Sequence, residues 1–333
     1  MAVWLAIFLS MGAIGTWLAR GYAVQRDLLD HPGERRSHDA VTPRGGGIAI
    51  VVALLAATLA LALRDPSSVV LLAGFATGLL LVAGIGWWDD HRPLPAWSRL
   101  AVHAVAAAVM SIAVLGAFGE PWLAVAAFVA ALALVNVWNF MDGINGLAAS
   151  QAALVAAGYA GLMSGSLWGW LGVAFVAACA GFLPFNFPRA RIFLGDVGSG
   201  ALGFAVAAFA VVAVGRDGIE WPLALMPLSA FLTDAGWTLL RRVWRREPWW
   251  TAHTQHAYQA WARRLGRHTP VTLAYAAWTS TAIGLVILLH SPDSFFMWAV
   301  VLSWYTSCAF FWWCLQRRGA GNGRSDGVEW RRE

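Results

Sequence analysis

The sequence VVLLAGFATGLLLVAGIGWWDD occupies residues 69–90, and in it an uncharged run ends at two adjacent carboxylates, Asp89 and Asp90. A run of about 20 apolar residues is long enough to cross a bilayer as a helix. Two neighbouring carboxylates at the end of such a run are costly unless a partner compensates their charge. Mg²⁺, which proteins hold with one or two carboxylates plus substrate phosphates, is one such partner. A solvated helix end at the membrane border is the alternative interpretation.

Similar uncharged runs recur along the chain, which is 59% hydrophobic and 12% charged. This composition excludes an ordinary soluble domain, and because backbone groups in lipid must be paired within their own segment, each run is predicted to be a helix. We predict an all-α, polytopic integral membrane protein with one membrane domain over residues 1–316 and a disordered tail over residues 317–333. Its eleven expected spans are Met1–Ala19, Gly45–Leu63, Val69–Trp87, Leu100–Phe118, Pro121–Trp138, Gly146–Met163, Leu167–Phe187, Gly198–Val214, Trp221–Leu240, Val271–Leu289 and Phe295–Leu315.

The distribution of arginine predicts the orientation of these spans. Alternate loops contain 21 of the 23 basic residues, all of which are arginine. Basic residues are retained on the cytoplasmic side of a membrane, so these loops are predicted to be cytoplasmic, with the N-terminus outside and the C-terminus inside. The net charge of +5 is then explained by topology, and no nucleic-acid partner is expected. The 21 arginines lie in residues 20–44, 88–99, 188–197, 241–270 and the C-terminal segment 316–333, and the short polar loop at residues 139–146 falls on the same predicted side.

The first cytoplasmic loop ends in Thr42-Pro43-Arg44-Gly45-Gly46-Gly47, where threonine followed by proline is typical of a helix start. Helix N-termini favour anions, and the glycines allow a backbone or a ligand to approach closely. His38 and Arg44, together with Arg99 of the next loop, are therefore candidate phosphate ligands. Topology explains the arginines equally well, Arg99 can instead pair with a carboxylate, and the glycines also suit helix packing.

A very short polar loop reads Asn139-Phe-Met-Asp142-Gly-Ile-Asn145-Gly146. Asp142 and Asn145 are three residues apart and would share a face on a helical turn. Such polar groups at a membrane mouth suit a site for a polar ligand, whereas a helix cap rich in Asp and Asn is the alternative.

The following polar loop extends from Phe185-Asn186 to Phe193-Leu-Gly-Asp196-Val-Gly-Ser199. A carboxylate at the start of a span can bind a metal ion together with a phosphate-bearing substrate, so Asp196 is a candidate metal ligand. Its alternative role is an N-cap. Phe193 is either a ring that stacks on a base or an interfacial aromatic residue.

The longest basic loop contains His253-Thr-Gln-His256, whose spacing would place both imidazoles on one helical face. The loop offers too few ligands for zinc, so phosphate or pyrophosphate binding by the imidazoles is the simpler interpretation. Asp234 lies inside a predicted span, where an acid is a functional candidate by default and an interhelical hydrogen bond is the alternative.

Taken together, these motifs resemble those of the polyprenyl-phosphate N-acetylhexosamine-1-phosphate transferases, also classified as glycosyltransferase family 4. The resemblance covers the cytoplasmic loops and the order of the spans, and it is closest to the bacterial branch that starts O-antigen or related surface polysaccharides. It implies transfer of a sugar-1-phosphate from a UDP-N-acetylhexosamine to undecaprenyl phosphate, with release of UMP. It also implies Mg²⁺, with Mn²⁺ as an alternative, and an active site on the cytoplasmic face of the bacterial inner membrane. A homodimer is compatible with it.

The resemblance also assigns roles to individual residues. Asp196 matches the metal-binding aspartate of the family, and Asp89, with Asp90 beside it, matches the carboxylate that deprotonates or orients the lipid phosphate. The residues assigned to the nucleotide or the donor are Asn139, Asp142, Asn145, Asn186, Phe193, His253 and His256.

Two positions depart from the family pattern. Asn145 stands where many relatives have aspartate, and Gln255 replaces a histidine found in other branches. The cell-wall branch typically has three consecutive histidines, so a peptidoglycan role is not expected.

A transporter or flippase that uses Asp234 as a proton relay is the main alternative from another class. Transporters usually place ionisable residues near the membrane midplane and contain repeated halves. In this chain the acidic motifs cluster on one predicted side and no internal repeat is visible, which favours the transferase.

Overall fold

The protein is a bundle of helices, as the apolar runs predict. The computed structural model describes residues 1–31, 40–248, 253–289 and 294–320. His38 and residues 321–333 of the predicted tail lie outside the described residues. The helices are α1 (Ala2–Gln25), α2 (Ile48–Arg64), α3 (Val69–His91), α4 (Ala96–Phe118), α5 (Pro121–Met141), α6 (Leu147–Leu162), α7 (Leu167–Asn186), α8 (Asp196–Asp217), α9 (Trp221–Leu225), α10 (Ser229–Trp244), α11 (Ala257–Leu265), α12 (Thr269–Leu288) and α13 (Ser294–Ala320).

The helices confirm an all-α membrane protein. Within the described part of the chain, nine helical segments are long and apolar enough to cross a membrane. Two further apolar helices, α2 and α6, have 17 and 16 residues, which is short for a bilayer at a rise of about 1.5 Å per residue. Each of the other expected spans coincides with one of the nine segments, and α13 continues to Ala320, past the expected end of the domain at residue 316.

The expected span Trp221–Leu240 is not one continuous helix. It consists of the short helix α9, a 3₁₀ turn over Met226–Leu228, and α10. Pro227 lies in the turn, and because proline has no N–H to donate, a regular helix is interrupted there.

The helix α8 lies at the centre of the bundle and is buried along nearly its whole length. It packs against α3, α5 and α6. Small residues make this possible, since a Cβ at Gly203 would collide with the backbone of Leu134 in α5, and a Cβ at Gly200 would press on Val82 in α3. The N-terminus of α8, where Asp196 lies, is thereby held among the ends of the surrounding helices.

A small sheet joins the first loop to the loop before α8. Strand β1 (Leu29–Asp30) pairs antiparallel with β2 (Thr42–Pro43). Phe193 then pairs with this edge, because its N–H donates to the Pro43 carbonyl at 2.8 Å and its carbonyl accepts from Gly46 N–H at 2.8 Å. The glycine run at 45–47 allows this approach, and a Cβ at Gly47 would collide with Gly198 of α8. In the described structure these glycines therefore serve close packing.

Candidate active site

A cavity of about 850 Å³ opens where the predicted cytoplasmic loops meet. Its walls come from the first loop, the ends of α3, α5 and α7, the starts of α4 and α8, and the loop between α10 and α11. Eleven of the residues singled out in the sequence line it: Arg44, Asp90, Arg99, Asn139, Asp142, Asn145, Asn186, Phe193, Asp196, His253 and His256. The expectation that these motifs share one side of the membrane domain agrees with this arrangement.

Arg99 pairs with two carboxylates that lie at the ends of different helices. Its Nη1 donates to Asp89 Oδ2 and to Asp196 Oδ2, each at 2.9 Å. Arg99 lies in the first turn of α4, Asp89 near the end of α3 and Asp196 at the start of α8, so one guanidinium neutralises charges from two other helices. The structure thus gives Arg99 the carboxylate pairing that the sequence left open beside phosphate binding.

Asp90 holds the start of α8 from outside that helix. Its Oδ1 accepts from Asp196 N–H and its Oδ2 from Val197 N–H, both at 3.1 Å. Arg44 Nη2 donates to the backbone carbonyl of Asp90. A carboxylate at a helix N-terminus satisfies orphan N–H groups and is favoured by the helix dipole. Both oxygens of this buried side chain are engaged, so the structure shows Asp90 in a positioning role at the start of α8, and the catalytic role suggested by the resemblance stays a prediction.

The short loop between α5 and α6 is not helical. The helix α5 ends at Met141, and Gly146 has φ +73°, so the expectation of a shared helical face for Asp142 and Asn145 is wrong. Both side chains nevertheless line the cavity. Asn139, in the last turn of α5, reaches the carboxylate at the start of α8, since its Nδ2 donates to Asp196 Oδ1 at 2.9 Å.

Asn186 fixes this turn from the end of α7. Its Oδ1 accepts from Gly146 N–H at 2.8 Å and its Nδ2 donates to the Ile192 carbonyl at 2.9 Å. Asn145 Nδ2 donates to the Pro188 carbonyl at 2.9 Å. The amides of Asn186 and Asn145 therefore hold loop backbone at the cavity wall, which is a positioning function beside any contact with a ligand.

The carboxyl group of Asp142 has an unusual pKa. It lies at the cavity wall, and burial, with a further contribution from the charge of Asp90, raises its pKa to about 7. Neither an ion pair nor a hydrogen bond engages this carboxyl group among the described contacts. Asp142 is therefore a group that can exchange a proton near pH 7.

The two histidines of the basic loop lie together, but not on one helix. His253 lies outside any helix or strand, whereas His256 is the N-cap of α11, and their rings stack with centroids 4.9 Å apart. The expectation of a shared helical face is wrong because the helix begins only at Ala257. Burial, with repulsion from His256 and Arg242, lowers the pKa of His253 to about 4. His253 is therefore neutral at pH 7, and a neutral imidazole has one N–H group that can donate a hydrogen bond.

Several wall residues carry no sequence signal of their own. Asp30 lies in β1, and His268 precedes α12 and lies beside the Asn145 backbone. Trp97 and His103 lie on α4. Trp97 is half a turn before Arg99, and His103 is one turn after it. Only the fold brings these four residues to the cavity.

The sequence also matches known proteins. The family model for glycosyl transferase family 4 matches residues 71–214. The chain is 32% identical over 252 residues to the phospho-N-acetylmuramoyl-pentapeptide-transferase of Moorella thermoacetica, an alignment that covers 64% of this chain and 76% of that protein. The chain belongs to glycosyl transferase family 4.

Two further relatives of this family 4 transferase are named for N-acetylglucosamine phosphate transfer. The undecaprenyl-phosphate alpha-N-acetylglucosaminyl 1-phosphate transferase of Thermotoga maritima is 28% identical over 308 residues, covering 90% of this chain and 94% of that protein. The decaprenyl-phosphate N-acetylglucosaminephosphotransferase of Mycolicibacterium smegmatis is 34% identical over 241 residues, covering 61% of this chain and 58% of that protein.

The residues at the start of α8 fit the magnesium ion that the family resemblance implies. Asp89 and Asp196 direct two carboxylates at one cation, Arg99, and carboxylate oxygens are the ligands that Mg²⁺ prefers. Within the described residues no group of three or more His, Cys, Asp or Glu side chains could hold a metal ion. Phosphate oxygens of a substrate would have to complete the coordination, as is usual for Mg²⁺ sites of this kind.

Gly195 offers a test of how tightly the site is built. Its φ is +73°, and a Cβ there would lie 2.5 Å from Asp90 Oδ2 and 2.7 Å from Gly45 N. Gly119 has φ +72° with no atom within 4 Å of its Cβ position. Gly119 has ψ 4°, so its alanine variant carries a left-handed backbone strain of about 1 kcal/mol. Gly195 has ψ 171°, a combination almost confined to glycine, so its alanine variant carries a larger backbone strain in addition to the collision. We expect Gly195→Ala to lower the unfolding temperature in detergent clearly more than Gly119→Ala, because it also displaces the Asp90 cap. Equal shifts in the two variants would contradict this packing.

Proposed function

We propose that this transferase moves N-acetylglucosamine-1-phosphate, or that of a related N-acetylhexosamine, from a UDP-sugar to undecaprenyl phosphate and releases UMP. One observation carries the proposal: a single cavity joins the polar motifs to an apolar wall formed by membrane helices. A water-soluble donor and a lipid acceptor can meet only at such a place. The names of the relatives support the polyprenyl phosphate acceptor and the sugar phosphate.

The acceptor is expected to enter between α4 and α5. Beyond Arg99 the cavity is lined by Trp97 and Leu100 of α4 and by Phe128 and Leu132 of α5. These side chains suit a polyprenyl chain, and Arg99 lies where its phosphate would reach the polar end. Asp89 does not itself line the cavity and is reached through its pairing with Arg99. A guanidinium recognises phosphate as well as carboxylate oxygens, so Arg99 can exchange part of its present pairing for the lipid phosphate.

The donor is expected to occupy the opposite, polar part of the cavity. Phe193, held at the sheet edge by its backbone, is the ring on which uracil would stack, and Asp142 accepts a hydrogen bond from the nucleotide. His253, being neutral, and His256 would contact the diphosphate. This places the sugar-bearing phosphorus near the start of α8, where the helix N-terminus favours anions.

The reaction needs positioning and charge neutralisation more than covalent help from the protein. Asp89 orients the lipid phosphate or accepts its remaining proton, and an oxygen of that phosphate attacks the phosphorus that bears the sugar. The bond from that phosphorus to the bridging oxygen breaks, and the bridging oxygen leaves with UMP. A magnesium ion held by Asp196, with Asp89 nearby, would supply neutralisation of the diphosphate charge. We favour direct attack over a covalent aspartyl intermediate.

The transporter alternative loses its main support in this fold. Asp234, the residue proposed as a proton relay, accepts hydrogen bonds from Ala257 N–H, Tyr258 N–H and the Tyr275 hydroxyl. A carboxylate engaged in this way is part of a fixed cap and does not face an open path.

We further propose that the cavity opens to the cytoplasm across a bacterial inner membrane, and that the product serves O-antigen or another surface polysaccharide. Arginine asymmetry supports the orientation. UDP-sugars are charged and do not cross a bilayer. Sealed inside-out vesicles that contain the protein and undecaprenyl phosphate should therefore incorporate radiolabel from added UDP-N-acetylglucosamine, with release of UMP, whereas right-side-out vesicles should require detergent.

Three results of that experiment would contradict the proposal at different points. Activity only in sealed right-side-out vesicles would reverse the orientation. Absence of lipid-linked label from every UDP-N-acetylhexosamine tried, with folded protein and detergent, would refute the transferase reaction. Incorporation of label only when another lipid phosphate is supplied would refute undecaprenyl phosphate as the acceptor.

The raised pKa of Asp142 predicts a pH dependence of donor binding. An ionised carboxylate accepts a hydrogen bond better than a neutral one, so affinity for UDP-N-acetylglucosamine should rise as the pH passes about 7. The phosphates of the UDP-sugar are diesters and stay ionised throughout this range. Calorimetric binding between about pH 6 and about pH 8 should show the step in the wild type and not in Asp142→Asn.

Asp65→Asn is the matched control for that experiment. Asp65 lies at the far end of α2, and hydrogen bonds from Ser67 lower its pKa, so it does not titrate in this range. Asp65→Asn should keep the rise in donor affinity near pH 7. A rise that persists in Asp142→Asn would contradict its assignment to the Asp142 carboxyl group.

A further inference from the structure

Asp234 is a buried carboxylate for which the reaction has no direct use. It lies on α10, inside a membrane-spanning segment, and exposes 2% of its surface. An ionisable side chain at such a place is expensive unless its surroundings compensate it. The groups that compensate Asp234 come from three different elements, and they lead to the cavity.

The carboxylate caps the helix α11. Asp234 Oδ1 accepts from Ala257 N–H at 2.8 Å and Oδ2 accepts from Tyr258 N–H at 3.0 Å. These are the first N–H groups of α11, which have no partner within their own helix. Tyr275 of α12 donates its hydroxyl to Oδ2 at 2.8 Å. One side chain thus ties α10, α11 and α12 together.

The cap lies directly behind the imidazole that faces the cavity. His256 precedes α11, and its Nδ1 lies 3.6 Å from Asp234 Oδ1. Phe140, near the end of α5, also contacts this imidazole, and its ring stacks on that of His256 with centroids 6.1 Å apart. Tyr258 donates its hydroxyl to the Phe140 carbonyl at 3.1 Å. The cap therefore sets the distance between the histidine loop and the end of α5.

We propose that Asp234 is a positioning residue for the transfer reaction. It holds His256 against the donor diphosphate by fixing the start of α11, and it acts through His256 and not on the substrate. This inference rests on the proposed function, in which His256 contacts the donor.

The test is a double-mutant cycle on donor use by the full-length protein. Asp234→Asn keeps the shape but replaces one acceptor oxygen by a donor that faces an N–H group. We expect KM for the UDP-sugar to rise by about tenfold or more with little change in KM for the lipid, because displacing a contact by 1 Å can cost about a hundredfold. In the His256→Ala background the same substitution should change the donor KM by less than about twofold.

Two further variants keep the test informative if Asp234→Asn folds poorly. Tyr275→Phe removes one donor to the carboxylate and leaves the charge, so it should raise the donor KM in the same direction by a smaller factor. Thr279→Val is the matched control, because this buried hydroxyl lies one turn further along α12 and donates to Gln151, away from the histidine loop. It should lower the unfolding temperature without raising the donor KM.

The outcomes separate this inference from the function on which it rests. If Asp234→Asn and His256→Ala each raise the donor KM and their effects multiply, Asp234 acts independently of His256 and the positioning role is refuted. A Thr279→Val variant that raises the donor KM as much as Tyr275→Phe would also refute it. A normal donor KM in His256→Ala would instead refute the donor contact in the proposed function.

Discussion

The site depends on one guanidinium that two carboxylates share. Asp89 and Asp196 come from different helices, and without a cation between them their charges would repel at the membrane mouth. Arg99 lies 2.9 Å from both and makes their approach favourable. In the proposed reaction, Asp196 of this pair is the carboxylate that would hold a metal ion arriving with a diphosphate. The arrangement explains why acidic residues tolerate a place so close to the bilayer.

The rest of the fold fixes the positions of Arg99, Asp89 and Asp196. The helix α8 runs through the middle of the bundle, and its small residues let α3 and α5 approach, so Asp196 lies beside the ends of both helices. Asp90 caps the start of α8, and the first loop adds its small sheet against Phe193. On the far wall, Asp234 caps α11 and so sets the position of the histidine pair. Two buried carboxylates thus act on helix starts, and neither is required to touch a substrate.

Much of this could be read from the sequence, and the exceptions have physical reasons. Apolar runs predict the helices well, because lipid permits few other backbone structures. Motifs at the ends of those runs predict the cavity wall, since alternate ends must lie on one side. Spacing alone failed for His253 and His256 and for Asp142 and Asn145, because caps from distant residues decide where α11 and α5 begin and end. The capping roles of Asp90 and Asp234 depend on contacts across more than 20 positions, which no local pattern contains.

We propose that Asp196 and Asp89 share Arg99 but have different roles: Asp196 holds the metal ion, and Asp89 prepares the lipid phosphate. The most direct measurement is Mg²⁺-dependent binding of UDP-N-acetylglucosamine, made beside turnover, for Asp196→Asn and Asp89→Asn. Asp196→Asn should lose the metal-dependent binding. Asp89→Asn should keep it and lose turnover by about a hundredfold or more, as expected for a missing proton acceptor. Loss of metal-dependent binding in Asp89→Asn, with binding intact in Asp196→Asn, would contradict the division.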